Sequence, residues 1–133
     1  MSALASDTHA LVWLLVEPAK LSIAATSAFQ QAVDNGDPIF LSAISMVELC
    51  YLIEKGRLSQ TVLDRLVAAL AQPNPVLRVV PVTDDIALAI TRISRVSVPD
   101  MPDRIIATTA LHLGVPLVTR DRKISAAGLQ VIW

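Results

Sequence analysis

The 133 residues suffice for one domain on one core and leave no room for a separate substrate-binding module. Hydrophobic residues make up 53% of the chain, yet the longest apolar run near its start, Leu11 to Val16, is too short to cross a bilayer. A formal net charge of −1 argues against a protein that grips nucleic acid over its whole surface.

So much apolar surface exceeds what one small fold can bury, and it predicts contact with a second copy or a partner chain, most simply a homodimer. Nothing near Met1 has the basic start, apolar stretch and cleavage site of a secretory signal, and the single Cys50 has no cysteine to pair with. A cytoplasmic protein without membrane contact is expected. Cys50 lies in an apolar helical run and reads as core packing.

In chain order, Ala3-Leu4-Ala5 is a weak strand that reaches Asp7 and an apolar helix from His9 to Val16. Ser22 can cap a helix through Val33 that stops at Gly36, and Pro38-Ile39-Phe40-Leu41 then has the branched, apolar character of a buried parallel strand. Ser45 can cap a helix through Lys55, ended by Gly56, and Ser59 another through Ala71. The next strand spans Leu77 to Val82, followed by a helix that Thr83 caps and that runs to Ile93. Pro102 suits the first turn of a further helix, which ends near Leu113 at Gly114. Pro116-Leu117-Val118-Thr119 and, beyond Gly128, Leu129-Gln130-Val131-Ile132 complete the strands. Strand and helix alternate throughout, which predicts a three-layer α/β/α fold whose central parallel sheet carries helices on both faces through right-handed crossovers.

Ligands of such sheets bind at the carboxyl ends of the strands, and four acids fall there or on the helix that follows. Asp7 and Asp121 follow the first strand and Val118-Thr119. Glu48 and Asp103 project from the first turns of otherwise apolar helices. Each has an ordinary explanation when taken alone: Ser45-Met46-Val47-Glu48 reads as a capping box, Asp103 suits a helix start, Asp7 can cap the first helix, and Asp121 can make a turn. None of these accounts for four carboxylates at the edges of apolar runs, where an unpartnered anion is costly and a shared divalent cation relieves all of them. Arg104, Arg120, Arg122 and Lys123 flank Asp103 and Asp121, so positive charge for a phosphate-bearing substrate would stand beside the acids.

Four blocks of the chain, Asp7-Thr8-His9-Ala10-Leu11-Val12-Trp13-Leu14-Leu15, Ser42-Ala43-Ile44-Ser45-Met46-Val47-Glu48-Leu49, Asp100-Met101-Pro102-Asp103-Arg104-Ile105-Ile106-Ala107 and Leu117-Val118-Thr119-Arg120-Asp121, resemble in order and spacing the PIN-domain toxin ribonucleases of VapBC-type toxin–antitoxin pairs. The resemblance covers nearly the whole chain. It implies that Asp7, Glu48, Asp103 and Asp121 are the catalytic, metal-binding quartet, with Thr8 and Thr119 as supporting residues. Asp100 competes with Asp103 for the third position, and Asp103 is preferred because the first helical turn aims its side chain back toward the strand ends. The first strand, Ser2 to Ser6, departs from the pattern in being smaller and more polar than the branched run usual there.

Hard carboxylate oxygens suit Mg²⁺ or Mn²⁺, which would activate water for phosphodiester hydrolysis, with Arg104, Arg120 or Lys123 holding the RNA backbone. The resemblance implies cleavage of single-stranded RNA and a small antitoxin partner. His9 and His112 read as packing or helix-end residues, because a hard-metal site selects oxygen. Trp13 and Trp133 read as core or dimer anchors, with base stacking as the alternative. A receiver-like signalling domain expects an acidic pair after its first strand, where Asp7 stands beside Thr8. A catalytically silent PIN scaffold usually lacks one of the four acids, and all are present here.

Overall fold

The structure, a computed structural model, describes residues 2–133. Five strands, β1 (Leu4–Ser6), β2 (Ile39–Ser42), β3 (Leu77–Val80), β4 (Leu117–Val118) and β5 (Val131–Ile132), form one sheet in the order β3-β2-β1-β4-β5. Every pairing is parallel, with Leu4 opposite Ile39 and Ala5 opposite Leu117. Six α-helices join them: α1 (Thr8–Val16), α2 (Ile23–Asn35), α3 (Ala43–Glu54), α4 (Gln60–Leu70), α5 (Asp84–Ala89) and α6 (Met101–Leu113). Short 3₁₀ turns at Pro18–Lys20, Ile90–Arg92 and Arg122–Ala127 complete the chain.

Successive strand residues point to opposite faces, and the core divides accordingly. Leu4, Ile39, Leu41 and Val118 pack with Leu11 of α1, Phe29 of α2, Leu49 of α3 and Leu66 of α4. Ala5 and Leu117 instead meet Ile106, Ala107 and Ala110 of α6, together with Ile93 and Ile124. This is the expected α/β/α sandwich. The central strand β1 is buried along its whole length although its residues are Leu4, Ala5 and Ser6. Its small side chains suit a position flanked by β2 and β4, with α1 arriving immediately above.

Helix boundaries follow local chemistry. Ser22, Ser59 and Thr83 cap α2, α4 and α5, each side chain accepting a first-turn backbone N–H. Gly36 and Gly114 end α2 and α6 in the left-handed conformation, at φ of 66° and 68°, where a side chain would strain the backbone. Three expectations need correction on α3. Its cap is Ser42, whose Oγ accepts the Ile44 N–H at 3.2 Å, because β2 runs straight into the helix without a loop. Ser45 therefore lies inside the helix and is buried, and Glu48 belongs to the second turn rather than the first. Cys50 is exposed and not in the core. In a helix that is apolar almost all round, Ser45 and Leu49 take the buried face, while Val47, Cys50, Tyr51 and Glu54 share the outer one. The helix expected to reach Ile93 is α up to Ala89 and tightens to 3₁₀ beyond it.

Among the described residues, no helix is long and apolar enough to cross a membrane. Leu11, with no exposed surface, sits one helical turn behind Asp7 and joins α1 to the sheet. Leu11→Ala is expected to destabilise the chain by about 2–5 kcal/mol, read as a lower denaturation midpoint with unchanged m-value.

Candidate active site

The sheet order places a topological switch between β1 and β4: the chain leaves β1 toward β2 on one side and builds β4 and β5 on the other. Crossovers diverge at such a point and open a crevice at the strands' carboxyl ends. Asp7 and Asp121 lie there. The backbone N–H of Asp7 donates to Val118 O at 3.1 Å, tying the end of β1 to β4, and Asp7 Oδ1 caps α1 by accepting the Ala10 N–H at 2.8 Å. On the neighbouring strand, the Asp121 N–H donates to Thr119 Oγ1 at 3.1 Å, and Asp121 Oδ1 accepts the Lys123 N–H at 3.0 Å. Asp103 comes from the first turn of α6, where its N–H donates to Asp100 Oδ2 at 3.3 Å.

Asp7, Asp103, Thr119, Arg120 and Asp121 line a cavity of about 410 Å³, together with His9, Trp13 and Ile124. Glu48 stands just outside this lining. It is linked to the site through Thr8, whose Oγ1 lies 2.6 Å from Glu48 Oε1 and 2.9 Å from Ser45 Oγ. A carboxylate only accepts, so the Thr8 proton goes to Glu48 and the Ser45 hydroxyl donates to Thr8.

The electrostatics show how closely the acids are grouped. Burial raises the Asp7 pKa above its usual value, opposed by the Thr119 hydroxyl, the Ala10 N–H and His9, while Asp121 pushes it up further. The Asp103 carboxyl is raised to about 6, first by burial and then by the negative charge of Asp100, Glu48, Asp7 and Asp121. One half-buried carboxyl thus feels all the other acids predicted for the site. Among the described residues, no three His, Cys, Asp or Glu side chains converge tightly enough to ligate one ion together. The donor set is entirely of hard oxygens, the chemistry that suits a cation such as Mg²⁺, which is commonly held by one or two carboxylates and keeps several waters.

Asp100, the competitor for the third position, is exposed and acts as the N-cap of α6, while Asp103 lines the cavity. Arg104 donates from Nε to Ile93 O at 2.9 Å, so its guanidinium braces the segment before α6. Arg120 lines the cavity, and Arg122 and Lys123 are exposed on the turn after β4. His112 is exposed in the last turn of α6. His9 is also exposed, at the cavity, with its ring 6.0 Å from Trp13, and so does not pack into the core. The Ser45 contact to Thr8 was masked in the sequence by the competing capping-box pattern. Its spacing of three residues from Glu48, which puts both on one helix face, is the signal that points to it.

Comparison with known proteins gives one consistent result. A sequence model of the PIN domain matches residues 5–129. Ribonuclease VapC22 of Mycobacterium tuberculosis is 32% identical over 124 residues, which cover 93% of this chain and 91% of that protein. Among solved structures, VapBC2 from Rickettsia felis bound to a DNA fragment from their promoter superposes with a TM-score of 0.73 at 17% identity, covering 97% of this chain and 96% of that one. A toxin–antitoxin complex from Klebsiella pneumoniae gives 0.64 at 22% identity, with 98% and 96% covered.

Since the Asp103 pKa rises from the ordinary 3.8 to about 6, ionising this group opposes folding: the penalty is absent below pH 3.8 and complete above about 6. Asp103→Asn should therefore stabilise the metal-free protein at pH 7.5 by about 1 kcal/mol, a figure kept small because the group is half exposed to solvent screening. Thermal melts in EDTA at pH 7.5 and pH 4 are expected to show the gain at the higher pH and little of it at the lower.

Proposed function

The chain belongs to the PIN-domain family, and on that basis we propose that it is a Mg²⁺- or Mn²⁺-dependent endoribonuclease, the toxin of a toxin–antitoxin pair, that cuts single-stranded regions of RNA in the cytoplasm. The observation that carries the reading is the crowding of Asp7, Glu48, Asp121 and Asp100 around Asp103 at the switch point of the sheet. Like charges in a half-buried crevice are unfavourable unless a cation is shared among them.

Of Asp7, Glu48, Asp103 and Asp121, one or two would hold the ion directly and the others through its waters, and the ion when bound would activate water and offset charge on the scissile phosphate. The protein's own side chains do the positioning. Thr8, bonded to both Ser45 and Glu48, fixes the Glu48 carboxylate, and the cap to Ala10 N–H fixes Asp7. Thr119, fully buried at the end of β4, places its hydroxyl beside Asp7 and receives the Asp121 N–H. Arg120 on the cavity wall and Lys123 on the adjoining turn offer cations to the RNA backbone, with Arg104 further back. A cleft of this size at the strands' carboxyl ends suits a splayed-out single strand better than a duplex, whose backbone stays outside.

Partners follow from the same reading. The Klebsiella pneumoniae structure is a toxin–antitoxin complex. A small antitoxin is accordingly proposed for this chain, together with a homodimer. Exposed Val47 and Tyr51 on α3, with Leu88, Val96 and Met101, supply apolar surface for such contacts.

With a single-stranded RNA as substrate, Asp103→Asn and Asp121→Asn should each lower the cleavage rate at least about 100-fold, and EDTA should abolish cleavage until Mg²⁺ or Mn²⁺ is restored. Thr8→Val, which removes only the support of Glu48, should cost about 10–100-fold. Unchanged cleavage by a folded, nuclease-free Asp103→Asn preparation would defeat the proposal, and a wild type that binds RNA without cutting it would favour the silent scaffold.

A further inference from the structure

Both tryptophans of the chain meet at one place beside the acidic cavity. Trp13 lines that cavity and also a second one of about 430 Å³, whose other walls are Trp133, Arg120, Ser22, Leu21 and Lys20. Arg120, like Trp13, lines both cavities, so these two side chains stand between the two openings. The Trp13 and Trp133 ring centroids are 5.6 Å apart with planes inclined at 53°, and His9 lies 6.0 Å from Trp13 on the side of the acids. His9 and Trp13 thus share the cavity of Asp7, Asp103 and Asp121, and Trp13 and Trp133 share the second one.

We propose that Trp13 and Trp133, with Arg120, form a base-stacking subsite for an unstacked nucleotide next to the scissile phosphate of single-stranded RNA. The inference rests on the nuclease reading and deepens it. Tryptophans serving only as core would be expected to bury their faces, but both of these are half-buried and edge an opening. Both pack in part against the core, and their tilted contact is not a full face-to-face stack, so each ring keeps some of its surface exposed. Aromatic faces alternating with cations are the two elements by which single strands are bound without dependence on base sequence. Lys20, paired with Glu17 at 3.1 Å, is partly neutralised, so Arg120 is the cation placed to meet the phosphate between the acid-lined cavity and the rings. A protein segment is the less suitable occupant, because Trp13 and Arg120 also line the cavity proposed to receive phosphate.

The test uses a short single-stranded RNA that the wild type cuts, prepared with one abasic nucleotide at each position in turn. Binding is followed by tryptophan fluorescence in EDTA, and cleavage with Mg²⁺ or Mn²⁺ added. In the wild type, an abasic nucleotide at one fixed position beside the cut should weaken binding at least about fivefold, the smallest loss typical of a missing base–aromatic stack. Trp133→Leu should weaken the intact RNA to the same degree, raise KM with little change in kcat, and lose its response to that abasic position. Trp133→Phe should keep most of the affinity. A flat abasic profile in a wild type that cuts RNA overturns this subsite and leaves the nuclease reading standing; the scan on the wild type decides this even if Trp133→Leu does not fold. Trp133→Leu binding as tightly as the wild type, with its folding checked by melting, also overturns it and returns the rings to packing or to a protein partner. A wild type that cuts no RNA overturns both.

Discussion

Repulsion among carboxylates at the carboxyl ends of β1 and β4 is the constraint around which the rest of the molecule is arranged. Asp103 is raised to about 6 because burial and four other acids act on it at once, and that crowding persists only because the packing beneath is stronger than the repulsion above. Leu4, Leu11, Ile39, Leu41, Leu49 and Val118 on one face, with Ile106, Ala107, Ala110 and Leu117 on the other, clamp the strands and helices that present the acids. The stability that the acids subtract is supplied by apolar burial a few residues away.

Each acid is also held by its local backbone. Asp7 and Asp121 serve as caps, Asp103 follows the cap of α6, and Glu48 is gripped by Thr8. Among the described residues no buried side-chain nitrogen or oxygen lacks a hydrogen-bond partner, so this polar layer is satisfied while carrying net negative charge. These bonds orient the side chains they hold: Asp7 and Asp121 through the turns they cap, and Glu48 through Thr8.

The proposed aromatic subsite would extend the site beyond the acids. Trp13 is part of α1, the helix that Asp7 caps, so the placement of a ring and of a carboxylate share one element. Arg120, immediately before Asp121, couples cation and anion in the same way on the turn after β4. Short separations in sequence thus carry both the chemistry and its electrostatic complement at the switch point.

The alternation of strands and helices, their caps at Ser22, Ser59 and Thr83, and their stops at Gly36 and Gly114 were legible in the chain, because capping, left-handed glycine and the branched residues of buried strands are local effects that do not depend on distant partners. The four acids were recognisable as exceptional for the same reason: each interrupts or borders an apolar run. Local pattern was misleading on α3, where Ser42 competed with Ser45 for the cap and an almost wholly apolar helix concealed the outward face that exposes Cys50. Strand order, the displacement of Glu48 from the cavity lining, the Thr8–Ser45 link and the meeting of Trp13 with Trp133 depend on contacts between segments 14 to 120 residues apart. Only tertiary packing decides these, since a side chain's neighbours across the sheet leave no periodic trace in its own segment.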